Sequence, residues 1–165
     1  MRYHYCYLFD GEPQSIYLEA GVSFTKLSGH RYTILAVTNL HPGLSNQPVS
    51  LVYQSEDKVT YCAPVERALR GVTTFQAPLS EQAGIAMINL LDSVPEPFYP
   101  LTDPHLVLKV LALANQTATL PEFPLQCVFS LDAIQLYSMP YSLFMSHFAT
   151  QESIDACSPH LPDPS

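Results

Sequence analysis

Displaced by 76 residues, the chain matches itself without a gap over three segments, and this repeat limits the possible folds more than any other feature. Ile34–Asn39 falls on Val110–Asn115, Pro48–Tyr53 on Pro124–Phe129, and Tyr61–Pro64 on Tyr137–Pro140. The identical pairs are Leu35/Leu111, Ala36/Ala112, Asn39/Asn115, Leu44/Leu120, Pro48/Pro124, Val52/Val128, Tyr61/Tyr137 and Pro64/Pro140. Each copy reads as strand, loop, strand, tight turn, strand and short helix. Three short antiparallel strands expose a face too small to stand alone, so each copy needs a partner surface. The expected fold is therefore β-rich α+β, with two small antiparallel units sharing one core.

Around the repeat, residues 3 to 9 alternate. Tyr3, Tyr5, Tyr7 and Phe9 point one way and His4, Cys6 and Leu8 the other, which is a period-two strand. Asp10-Gly11-Glu12-Pro13 signals a turn, and Ser15 to Glu19 the returning strand of a hairpin. Leu79 to Leu91 reads as a helix capped by Ser80, with Ile85, Ile88 and Leu91 on one face. Pro95, Pro97, Pro100 and Pro104 then predict a stiff extended connector. The organisation expected is hairpin plus first unit over 1–76, helix and connector over 77–104, second unit over 105–150, and a flexible tail over 151–165.

The repeated pattern resembles a family of small bacterial and phage proteins, domain-of-unknown-function family 1653. The first copy is similar at Tyr32-Thr33-Ile34-Leu35-Ala36-Val37-Thr38, Leu51-Val52-Tyr53 and Tyr61-Cys62-Ala63-Pro64, with Gly29-His30 and His41 in keeping. The second is similar at Leu108 to Ala114, Cys127-Val128-Phe129 and Tyr137 to Phe144. The family's Trp is Tyr in both copies, and its Arg before Pro is Ala63 and Met139. The resemblance implies SH3-like β units and an origin in a bacterium or its phage. It implies no activity.

Charge narrows the partners. The formal net charge is −8, and the seven Lys and Arg form no cluster in the sequence. A nucleic-acid groove needs a basic stripe, so no nucleic-acid partner is expected. No window approaches the ~20 apolar residues of a membrane span, and Met1 to Asp10 lacks a signal peptide's apolar run, so a cytoplasmic protein with no membrane partner is expected.

Motifs for catalysis are sparse. GxGxxG, GxxxxGK[ST], GxSxG and HExxH do not occur. His4 and Cys6 share one strand face but make only half a metal site, so neither metal nor cofactor is expected. A Cys/His hydrolase would have to pair Cys62 with His30 or His41. The aromatics are the better lead: ten Tyr and eight Phe, with no Trp. Tyrosine joins apolar area to a polar tip and suits both cores and binding surfaces. The candidate binding residues are Tyr53, Tyr61, Phe129, Tyr137, His41, Asn39 and Asn115, with no catalytic residue assigned. The function expected is a non-catalytic protein-binding module, an inhibitor or neutralising partner of the immunity or anti-defence type. Its partner would be a basic protein or a component of a defence or toxin complex, and self-association into a homodimer is a further expectation. The alternatives are a small-molecule or nucleotide sensor or sponge with a pocket between the repeats, and the Cys/His hydrolase.

Overall fold

The computed structural model describes residues 2–40, 47–77, 97–100, 108–116, 123–130 and 136–149. The helix expected over Leu79–Leu91, His41 and the tail from 151 lie outside them. Among the described residues the chain forms three antiparallel sheets, two short helices and no barrel.

The first sheet is the expected hairpin. Strands β1 (Arg2–Phe9) and β2 (Glu12–Glu19) pair in a register closed by Phe9 and Glu12. Asp10 and Gly11 turn the chain with φ of 51° and 79°. A two-residue loop with both residues left-handed matches the twist of the flanking strands, which is why Asp-Gly serves here.

The repeat is larger than its sequence trace. In the first copy, β3 (Ser23–Lys26), β4 (Arg31–Thr38), β5 (Ser50–Ser55), β6 (Thr60–Pro64), α1 (Val65–Ala68) and β7 (Val72–Gln76) form a sheet ordered β6-β5-β4-β3-β7. The second copy uses β8 (Pro97–Pro100), β9 (Leu108–Ala114), β10 (Gln126–Ser130), β11 (Leu136–Pro140), α2 (Tyr141–His147) and β12 (Phe148–Ala149). Its sheet runs β11-β10-β9-β8-β12, element for element the same. The repeat thus includes a strand on each side that alignment did not reveal. It also corrects the reading of the Pro-rich stretch as a connector throughout. Pro97–Pro100 is a strand paired with both β9 and β12. Its prolines stand at its two ends, where sheets tolerate a missing N–H best.

A bulge recurs at one place in each copy. Ile34 pairs with Tyr53 but Ala36 with Val52, so Leu35 is the extra residue. Val110 pairs with Phe129 and Ala112 with Val128, so Leu111 is the extra residue in the second. A bulge breaks the strict alternation of a strand and lets two successive residues face one way. Three apolar clusters follow. Ile34 and Val37 join the hairpin and α1 in a cluster of the first unit. Val110, Phe129, Tyr137, Met139 and Phe144 form one in the second. Leu35 and Ala36, with Val52 and Cys62, meet Leu111, Ala114 and Val128 in a third that draws on both sheets.

Candidate binding surface

The joint between the units accounts for the two asparagines. Asn39 and Asn115 end β4 and β9 in the left-handed region, at φ 63° and 65°. Asparagine tolerates that region better than most residues. The Asn39 N–H donates to the Leu136 carbonyl at 2.9 Å. Its side-chain Nδ2 donates to the carbonyls of Ser138 and Pro48, both at 3.0 Å, and its Oδ1 accepts from the Ser138 N–H at 2.9 Å. Asn115 repeats the pattern. Its N–H donates to the Thr60 carbonyl at 2.9 Å, its Nδ2 to the carbonyls of Cys62 and Pro124 at 2.8 Å, and its Oδ1 accepts from Cys62 N–H at 2.9 Å. Each residue involved lies 76 positions from its counterpart. β6 and β11 are edge strands, so each asparagine satisfies backbone groups on the free edge of the other unit. Uncapped edges are templates for unwanted pairing.

This corrects the assignment of Asn39 and Asn115 as partner-binding residues. Both are buried, and their amides bond within the chain. The aromatics divide. Tyr53, Phe129 and Tyr137 are buried and serve the cores. Tyr53 stacks on Tyr61 at 5.6 Å between centroids, and Phe129 on Tyr137 at 5.7 Å. Tyr61 stays half-buried, beside Tyr32 at 6.3 Å. Of the candidates within the described residues, it alone keeps surface to offer.

The cysteines separate in the same way. Cys62 is buried in the joint cluster, where loss of hydration pushes its thiol up to about 12, partly opposed by a hydrogen bond with Ser138. Burial pushes Cys127 up to about 12 as well. A nucleophilic cysteine needs the thiolate, so Cys62 is poorly placed for the hydrolase chemistry. His30, its expected partner, is exposed and bonds the Ser28 hydroxyl at 3.1 Å. Cys6 is exposed, with its sulfur 4.0 Å from His4 Nδ1. Among the described residues, no three of His, Cys, Asp and Glu come together as a metal site would need. Between the repeats, where a ligand pocket was an alternative, Leu35, Val52, Leu111 and Val128 pack together. No helix among the described residues is long and apolar enough to cross a membrane.

Of the large apolar side chains that stay exposed, Leu8, Phe9 and Tyr17 lie on the hairpin. Tyr3, Tyr5 and Ile16 pack on the first unit's cluster. Tyr5 has its hydroxyl pKa raised by burial and then by Glu66 and Tyr3. Tyr7 sits on Phe75 of β7 at 5.3 Å. Beyond that contact Phe9, on the same face, is 52% exposed, and Leu8, on the opposite face, 74%. On the outer face Tyr17, 49% exposed, carries His4 at 5.0 Å and the Arg2 guanidinium at 4.2 Å. Sequence alternation identified the aromatic stripe. It could not show that the stripe runs out of sheet before it runs out of aromatics.

Scans against protein-family models, curated proteins and solved structures found no match to this chain.

Proposed function

We propose that the chain is a non-catalytic protein-binding module whose first unit presents the contact surface. One observation carries the reading: the hairpin leaves Leu8 and Tyr17 exposed on its outer face and Phe9 exposed past Tyr7 on the other. Large apolar residues left exposed on an ordered hairpin suit recognition of another protein. The net charge of −8 favours a basic partner by long-range attraction. In this reading the two SH3-like units fold as one body, the joint holds them in place, and binding neutralises or inhibits a toxin or a defence component. The bacterial or phage origin that the resemblance implies belongs to the same proposal.

The test is capture of a partner by the tagged chain, purification of that partner, and calorimetry of the pair. A Leu8→Ser/Phe9→Ser double variant runs beside the native chain, with circular dichroism to establish its fold. A one-to-one complex with the native chain, lost in the folded variant, supports the reading. A complex indifferent to both substitutions, or no complex, refutes it.

A further inference from the structure

The two helices start at the same point of their sheets and meet different surroundings. The Val65 N–H, opening α1, donates to the Val49 carbonyl at 3.1 Å, and the Tyr141 N–H, opening α2, donates to the Leu125 carbonyl at 2.8 Å. Residues four apart on a helix share a face. Val49, Val65 and Leu69 in the first copy therefore match Leu125, Tyr141 and Met145 in the second.

In the first copy this surface is covered. Val65 and Leu69, 5% and 6% exposed, belong to one cluster with Leu18 of the hairpin, and Tyr3, Tyr5, Ile16 and Val49 pack against it. Glu66 of α1 lies near enough for its charge to act on the Tyr5 hydroxyl. The second copy leaves the surface open: Leu125 is 36% exposed, Tyr141 37% and Met145 44%. Its core closes without a hairpin. Ala63 and Ala68 give way to Met139 and Phe144, and these larger side chains are buried in one cluster with Phe129. The charges go too, since Glu66, Arg67 and Arg70 become Ser142, Leu143 and Ser146. A helix that faces only water carries charged or polar groups on its outer side. Tyrosine offers instead a rigid ring with a polar tip, and methionine an adaptable thioether, and both suit contact with another molecule. The first copy shows what such a face accepts, namely the alternate apolar side chains of an antiparallel strand pair.

We propose that Leu125, Tyr141 and Met145 form a docking face for a β-hairpin of a partner protein, which lays an uncharged apolar side against them as β1–β2 does against the first unit. This face lies on the second unit and is independent of the hairpin surface described above, so each unit has a contact surface of its own.

The test uses β-hairpin peptides that share the Asp-Gly turn of β1–β2, randomised along both strands, displayed on phage and selected against the full chain. Winners are synthesised and their affinities measured by fluorescence anisotropy. Uncharged apolar residues should be enriched at alternate positions. Tyr141→Ser/Met145→Ser, shown folded by circular dichroism, should weaken the winners roughly ten-fold or more. Leu27→Ser, at an exposed leucine of the first unit, should leave them unchanged. Bound winners should also slow the oxidation of Met145 by peroxide, read by peptide mapping, and this decides the matter if the double variant does not fold. No winners, winners indifferent to Tyr141 and Met145, or an unprotected Met145 overturns the inference. Winners that depend on Leu8 and Phe9 instead overturn it while supporting the hairpin surface. Protection of Met145 in the free chain overturns it as well: at a monomer's sedimentation mass the chain covers the face itself, and at a dimer's mass a second copy does.

Discussion

The first and second units share a sheet order, a bulge position and a capping asparagine, yet they differ in what lies around those features. The first packs Phe24, Tyr32, Tyr53, Tyr61 and Phe75 into one aromatic network under the hairpin. In the second, among the described side chains, Phe129 packs with Tyr137 and Phe144. Tyr61 is half-buried and its counterpart Tyr137 buried. Val65 and Leu69 on and after α1 are buried, whereas their counterparts Tyr141 and Met145 on α2 are exposed. Identity between the copies concentrates where they meet: Leu35/Leu111, Ala36/Ala112, Val52/Val128, Asn39/Asn115 and Pro48/Pro124 all stand at the joint. A paired interface makes the same demand on both sides, so the same residue answers it. Away from the joint each copy meets its own surroundings and diverges.

Even the joint has one asymmetric pair. The Thr38 hydroxyl bonds that of Ser138 at 2.7 Å, while the equivalent Ala114 and Cys62 meet as apolar neighbours. A hydroxyl opposes a hydroxyl and a methyl opposes a thiol, so neither side strands a buried donor.

The comparison can be broken at the cores first. Phe129→Ala and Tyr53→Ala should each cost ~3–5 kcal/mol, the usual range for a large buried aromatic. Scanning calorimetry should show one transition in both variants, because the joint ties the units together. Two separated transitions would mean that the units unfold independently. Next come the caps. Asn39→Ala and Asn115→Ala each leave buried backbone groups of the other unit unpaired and place alanine in the left-handed region. A loss of ~2–4 kcal/mol is expected from each, equal within ~1 kcal/mol by urea unfolding if the two sides are energetically alike. A large inequality would show that the symmetry is geometric only.

The asymmetric pair gives a smaller effect. Cys62→Ser replaces a thiol that bonds Ser138 within the apolar cluster of Ala114 by a more strongly hydrated hydroxyl, and should cost ~1–2 kcal/mol. Adding Ala114→Thr should restore most of it, by copying the arrangement on the other side. No recovery in the double variant would deny the pairing rule. Titration gives the smallest effect near neutrality. Cys62 and Cys127 hold their protons in the folded chain up to about 12, against an ordinary value of 9.0. Their contribution is complete below pH ~9 and fades as pH climbs towards 12, where only the unfolded thiols ionise, by up to ~1.4 kcal/mol per pH unit for each thiol. Cys62→Ala/Cys127→Ala should flatten that part of the stability curve. In peptide mapping after brief alkylation of the folded chain at pH 8, Cys6 should be labelled well before either buried thiol.

Local chemistry determined a good deal from the sequence alone. Period-two aromatics placed β1, Asp10-Gly11 placed its turn, and the 76-residue offset placed β4 to β6 on β9 to β11, because alternation, left-handed φ and internal identity are written in consecutive residues. β3, β7, β8 and β12 are too short or too rich in proline to carry such a period, and only pairing with a neighbour makes them strands. The roles of Asn39 and Asn115 were beyond local reading for the same reason. Their identity was visible, but their partners stand 99 and 53 positions away along the chain. Burial of Tyr53, Phe129 and Tyr137, and exposure of Phe9, likewise depend on which surface lies opposite. A residue's conformational preference is local, but whether it meets protein or water is decided only when distant segments close over it.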